Sequence, residues 1–198
     1  MMFLFLTAVC NAKGPYIGGN VGVAIADSMD ASTPLIPGIV ATAECDTGIA
    51  FGLAFGYDFD GLRVEAEGAY QKNDFDTVSA LGITTNLAGD VDVFSLLCNV
   101  YYDFNNSSPI TPYIGAGIGM SMVSINDIGL PNMIGPVGLS LDDTALSYQV
   151  GGGVSFIITK RVSLDLKYRY LCVPDLQFLV VDSDFDSHNI LLGLRFSI

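Results

Sequence analysis

From Ile49 to Tyr57 every second residue is large and apolar: Ile49, Phe51, Leu53, Phe55 and Tyr57 alternate with Ala50, Gly52, Ala54 and Gly56. A strand sends those two sets to opposite faces, whereas a helix would spread them around its axis. The GxxxG spacing of Gly48, Gly52 and Gly56 is a by-product of this alternation rather than a helix-dimer motif. The pattern occurs eight times, at about 16–26, 47–57, 62–72, 91–104, 112–123, 145–158, 162–171 and 188–198. Representative apolar rows are Phe94, Leu96, Cys98, Val100, Tyr102 and Ile190, Leu192, Leu194, Phe196, Ile198. Each segment is close to the roughly 9–11 residues with which a tilted strand crosses a bilayer. An even count lets a barrel close with both termini on one side.

The connections alternate as well. Segments 58–61, 105–111 and 159–161 are short, while 27–46, 73–90, 124–144 and 172–187 are long. Short turns at one end and long loops at the other fit an outer-membrane barrel, whose closure pairs every backbone N–H and C=O in lipid. A membrane helix has no support, because no run of about 18 apolar residues exists. The uncharged stretch 104–126 is interrupted by Pro109, Pro112, Gly115, Gly117 and Gly119.

Periodicity alone does not separate a membrane barrel from a soluble barrel with an apolar cavity. Charge placement does. Of 198 residues only 15% are charged and 51% are hydrophobic, with mean hydropathy +0.49. A soluble surface draws on about 25% charged residues. On the polar face of the segments stand Arg63, Glu65, Glu67, Asp165, Lys167, Arg169 and Arg195, among Gly, Ala, Ser and Asn. Facing lipid, an Arg or Lys would cost about 2–4 kcal/mol at the midplane. The expectation is therefore an all-β, eight-stranded antiparallel up-and-down transmembrane β-barrel over residues 13–198, with these seven charges in its lumen. Glu65 and Glu67 are expected to contact some of Arg63, Lys167, Arg169 and Arg195 and so form a plug.

The net charge of −13, from 8 basic and 21 acidic residues, excludes nucleic acid as a partner. Fifteen of the 21 acids lie in or beside the four long segments. They read as a solvated rim. Asp182, Asp184 and Asp186 have a D-x-D-x-D spacing, but the sixth-position Gly and twelfth-position Glu of a calcium loop are missing, so no metal site is assigned.

Residues 1–12, MMFLFLTAVCNA, read as the end of a secretory signal peptide cleaved after Ala12, whose basic start lies upstream. A lipoprotein reading of Cys10 is disfavoured by Val9, where a small residue is wanted. The remaining Cys45, Cys98 and Cys172 include no CxxC pair, and with one His they make no zinc site. Cys98 falls in an apolar row as a small hydrophobe. Spacing leaves open whether Cys45 and Cys172 pair.

Other chemistry is weaker. The glycine runs 115–119 and 151–153 lack the following helix of a phosphate loop and read as inward glycines that relieve crowding. His188 has Ser183, Ser187, Asp184 and Asp186 nearby in sequence, but adjacent strand residues face opposite ways, which argues against a lipid-modifying site. Tyr16, Tyr57, Tyr70, Tyr102 and Tyr168 read as an interfacial girdle. No catalytic residue or cofactor is assigned.

Five stretches, in order, carry a family resemblance: LRVEAEGAYQKND (62–74), NVYYDF (99–104), TPYIGAGIGMS (111–121), SYQVGGGVSF with RVSLDLKYRYL (147–171), and SHNILLGLRF (187–196). Together they resemble the outer-membrane β-barrel surface-antigen and opacity-protein family, an OmpA-like eight-stranded barrel. The resemblance implies a bacterial outer-membrane protein with extracellular long loops and periplasmic termini. It implies no enzymatic role, but envelope integrity and loop contacts with host or envelope ligands, as an adhesin or surface antigen. A small passive channel is the alternative; a rim-located lipid-modifying enzyme is a second. The implied partners are outer-membrane lipid and the barrel-assembly machinery, which would read the C-terminal alternation, with Ile198 departing from the usual Phe.

Overall fold

The computed structural model describes residues 13–32, 40–80, 82–106, 108–129, 141–178 and 181–198. The expected leader, 1–12, lies outside them, as do parts of the four long connections and residue 107. The described chain is all strand and turn: β1 (Gly14–Ala26), β2 (Met29–Ser32), β3 (Val40–Cys45), β4 (Gly48–Asp58), β5 (Leu62–Ala80) and β6 (Ile83–Asn86). There follow β7 (Ala88–Asp103), β8 (Ile110–Gly129), β9 (Leu141–Ile157), β10 (Val162–Phe178) and β11 (Val181–Ser197).

Eight of these strands form a closed antiparallel ring. β1 pairs with β4, β4 with β5, β5 with β7, and β7 through β11 pair in succession. Pairing of β1 with β11 closes the ring, so Val21 lies opposite Phe51 on one side and Leu192 on the other. The row Ile17, Val21, Val23, Ile25 and its counterparts Leu53, Leu96, Ile118, Leu146, Leu166 and Leu192 stand exposed on the outside as a continuous apolar belt.

The three short strands extend the wall beyond that belt at the long-connection end. β3 pairs with residues 75–80 of β5, above the end of β4. β2 pairs with β3 and meets β11 at Ser32 opposite Asp182. β6 folds back on β5.

This corrects the expected loop boundaries. Segments 73–90, 124–144 and 172–187 were expected as loops, yet β5 runs on to Ala80, β8 to Gly129 and β10 to Phe178, while β7, β9 and β11 begin at Ala88, Leu141 and Val181. The raised part of the wall encloses an apolar core of Met29, Phe75, Val91, Val93, Val123, Ile125, Leu171, Val173, Leu176 and Phe185, each less than a tenth exposed. A register shift between Val173 and Leu176, with Asp175 at φ 57°, bends β10 over this core. The Asp175 N–H donates to Asp184 Oδ1 at 2.9 Å and holds the bend.

Among the described residues Cys45, Cys98 and Cys172 are free. Cys45 packs against the inner apolar core. Cys172 lies between the inward Leu171 and Val173, and alternation therefore turns it to the opposite face of the wall. The wall separates the two thiols.

Candidate functional site: the barrel lumen

Arg63, Glu65, Glu67, Asp165, Lys167, Arg169 and Arg195 each share the parity of a buried position on their strand. Nearest the short-turn end, Arg63 grips Asp103 with Nε at 3.0 and 2.9 Å and Nη2 at 2.8 Å, and donates from Nη1 to Glu65 Oε1 at 3.3 Å. Its guanidinium lies 4.9 Å from the Tyr101 ring centre and 4.8 Å from that of Tyr113. Tyr16 donates to Glu65 Oε1 at 2.6 Å, and Arg195 lies over the Tyr16 ring at 5.4 Å. Arg195 itself donates to Ser155 at 2.9 Å and to Asp165 at 3.3 Å.

One level up, Glu67 is the hub. It accepts from Asn99 at 2.7 Å, from Gln149 and Asn20 at 3.3 Å, from Arg169 at 3.4 Å and from Lys167 at 3.5 Å. Above that the polar groups are neutral: Ser187 donates to Gln71 at 3.0 Å, Gln71 to Asn73 at 2.8 Å, and Ser121 to Ser147 at 2.8 Å. The apolar core then fills the raised end. Each lumen cation thus has a carboxylate within 3.5 Å. Leaving such a buried charge unpaired typically costs about 3–5 kcal/mol.

Two glycines make room for this. A Cβ at Gly56 would collide with the Tyr16 ring, and one at Gly115 with that of Tyr101. The two tyrosines lie in the lumen only because those facing positions have no side chain.

Arg63 with Glu65, Glu67 with Lys167 and Arg169, and Arg195 with Asp165 are separate contacts. Sequence reasoning missed Asp103, Tyr101 and Tyr113, and it placed Tyr16 in the girdle. Tyr16 is buried and belongs to the lumen. Parity carries all four: Tyr16 is out of phase with Ile17, Asp103 and Tyr101 with Tyr102, and Tyr113 with Ile114. Tyr57, Tyr102 and Tyr168 do stand exposed outside, Tyr57 packing on Phe59 at 4.5 Å and Tyr102 on Phe104 at 5.2 Å.

On the outer wall His188 Nδ1 lies 2.7 Å from the Tyr168 hydroxyl, and Nε2 lies 3.5 Å from Asp27. Ser187, its neighbour, is buried inside against Gln71. Base and hydroxyl are therefore on opposite faces of the wall. Asp184 alternates with the buried Ser183 and Phe185, so the D-x-D-x-D spacing is strand alternation and not a loop. Among the described residues no three His, Cys, Asp or Glu side chains converge to hold a metal.

This inside-polar, outside-apolar ring has known counterparts. Residues 3–197 match the family described as outer membrane protein beta-barrel domain. The chain belongs to that family. It is 27% identical to outer membrane protein PagN of Salmonella typhimurium over 190 residues, which cover 83% of this chain and 77% of PagN. Neisserial surface protein A superposes with a TM-score of 0.61 at 23% identity, covering 93% of this chain and 97% of that one. The attachment invasion locus protein Ail of Yersinia pestis, solved with the heparin analogue sucrose octasulfate, gives 0.50 at 16% identity, covering 92% and 99%. These two structural likenesses establish the fold. The family member described here is a bacterial outer-membrane protein whose apolar belt meets lipid, whose raised wall and long connections are extracellular, and whose termini are periplasmic.

Proposed function

We propose that the protein is a non-enzymatic surface protein of the adhesin or surface-antigen type, contacting host or envelope partners through its raised rim. The observation that carries this reading is the apolar core at the extracellular end. Phe75, Val91, Val93, Val123, Ile125, Leu176 and Phe185 fill the space where a channel would need a water path. A sealed barrel of eight strands supports a rim better than it supports transport.

The rim is acidic. Asp27, Asp74, Asp76, Asp142 and Asp184 are among its carboxylates, while Lys72 is paired with Asp90 at 3.1 Å. Long-range fields of that sign attract cationic surfaces and repel polyanions. The favoured partner is therefore a basic protein surface, in contrast to the sulfated ligand of Ail. The outward apolar row of β11, from Ile190 to Phe196, is the segment offered to the barrel-assembly machinery.

Planar-bilayer recording combined with a cell-binding assay tests the proposal. The expected result is no stable conductance, and binding to cells that falls when Asp74, Asp76, Asp142 and Asp184 are replaced together by Asn. Steady ion conductance by the wild-type barrel would favour the passive-channel reading. Unchanged binding by the Asn variant would remove the acidic rim from the account.

A further inference from the structure

Outside the lumen the basic side chains are unevenly placed. Of the 8 basic residues, Arg63, Lys167, Arg169 and Arg195 are paired inside, and Lys72 is paired with Asp90 in the upper wall. The other three, Lys13, Lys160 and Arg161, are all exposed at the periplasmic end. Among the described residues Lys160 and Arg161 pair with no carboxylate. Lys13 meets Asp60 in an exposed pair, an arrangement that holds a side chain only weakly.

Above these cations the apolar belt has a groove. On β1 the outward row runs Ile17, Gly19, Val21, so it has no side chain at Gly19. Gly19 lies opposite Leu194 of β11 and Leu53 of β4, and Ala66 of β5 lies opposite Phe55. Walled by Leu53, Phe55, Leu194 and Phe196 and floored at Gly19 and Ala66, the groove measures about 750 Å³. Clefts of roughly 300–1,000 Å³ take small organic ligands. The cations flank its lower end: Ser197 N, next to Phe196, donates to Arg161 O at 2.9 Å, and Lys13 precedes Ile17 by four residues on the same strand.

We propose that the groove is a binding site for an anionic phospholipid of the periplasmic leaflet, with one acyl chain in the groove and the phosphate against Lys13, Lys160 and Arg161. Depth fits this occupant. Gly19 is six residues above Lys13, which is about 20 Å along a strand and about 15 Å along the membrane normal at a tilt of roughly 40°. That is half of the roughly 30 Å hydrocarbon core, the reach of one leaflet. Charge selects the leaflet, because a lipid from the other side would bring its phosphates to the acidic rim. Charge also disfavours a second copy of the chain, since a two-fold interface on this groove would bring Lys13 and Arg161 toward the same cations of its partner. The inference does not depend on what the extracellular rim contacts.

The chain contains no Trp, so one introduced Trp reports its own lipid neighbours. Val21→Trp stands at the upper end of the groove, and Ile118→Trp on β8 stands on the opposite side of the ring. Each folded full-length variant is placed in vesicles of dibrominated phosphatidylcholine, which quenches the Trp, and unbrominated phosphatidylglycerol is titrated in. Fluorescence recovery should show phosphatidylglycerol preferred roughly fivefold or more at position 21, and no preference at 118. Replacing Lys13, Lys160 and Arg161 together by Gln should remove the preference at 21. Gly19→Leu, which fills the groove, should remove it too; if that variant fails to fold, Ala66→Leu fills the same groove from β5. No preference at 21, an equal preference at both positions, or a preference unchanged by either the Gln or the Leu substitutions overturns the proposal. So does lipid access at 21 that falls as the protein-to-lipid ratio rises while access at 118 does not, which would make the groove an interface between copies.

Discussion

Along β5 the same alternation serves two opposite arrangements. In its lower part Arg63, Glu65, Glu67 and Gln71 are buried inside while Val64 and Ala66 face out. Past Tyr70 the outward row becomes Lys72, Asp74 and Asp76, and the inward row acquires Phe75. β7 repeats this in reverse: Asp92 and Asp90 replace the outward Val100, Leu96 and Phe94, while Val93 and Val91 replace the inward Asp103, Tyr101 and Asn99. The backbone pairing does not change across this boundary; β5 and β7 stay in register from Leu62 opposite Tyr102 to Asp74 opposite Asp90. What changes is the medium outside. Against lipid the outer row must be apolar and the polar groups collect inside. Against water the outer row is charged, and the hydrophobic effect fills the inside, as in a soluble barrel.

The largest expected effect breaks the lower half. Glu67→Ala leaves Lys167 and Arg169 without their carboxylate and should cost roughly 3–5 kcal/mol in urea unfolding from lipid vesicles. Glu67→Gln keeps a partner for Asn99 and Gln149 and should cost less. A neutral Glu67→Ala would show that the ion pairs do not hold the lower lumen.

A matched pair of surface changes sharpens the boundary. Leu192→Arg, on the lipid side of β11, should lose about 2–4 kcal/mol if it lies near the midplane. Asp76→Arg, on the charged outer row in the raised part of β5, should stay within about 0.5 kcal/mol. Equal effects would place the membrane edge elsewhere.

In the upper half, Leu176→Ala should cost about 2 kcal/mol or more, because it opens a cavity in a closed core. Its signature is local: faster amide exchange at 171–176 and 183–187, with β4 and lower β5 still protected. The smallest effect is chemical. Burial, reinforced by Asp46, pushes the Cys45 thiol up to about 11 from 9.0. The neutral thiol therefore dominates at pH 8, and iodoacetamide should alkylate it at roughly a hundredth of the rate of an exposed cysteine, rising with pH up to that value.

Much of this was legible in the sequence wherever the outer row faces lipid. Ile49, Phe51, Leu53, Phe55 and Tyr57 announce a strand because nothing else places five large apolar residues at period two. The inward direction of Arg63, Glu65 and Glu67 follows from parity with Val64. Above the membrane edge the phase inverts, and Asp74-Phe75-Asp76 or Asp184-Phe185-Asp186 then looks like polar loop, because single apolar residues between acids resemble no amphipathic run. Tyr16 was misplaced for a different reason. A tyrosine at a strand end suits an interface equally well, and only the empty space over Gly56 shows that its ring fits inside. Which carboxylate each cation meets was not legible, since strands far apart in sequence meet across the lumen, as Glu67 meets Arg169.

The phase inversion itself is tested most directly by spin labels placed singly at 64, 66, 70, 72, 74, 75 and 76 of β5, with collisional access to oxygen and to a water-soluble nickel complex measured in vesicles. The account predicts oxygen access from 64 to 70, nickel access at 72, 74 and 76, and access to neither at 75. Nickel access at 75 equal to that at 74 and 76 would mean a solvated loop in place of a walled apolar core, and would contradict it.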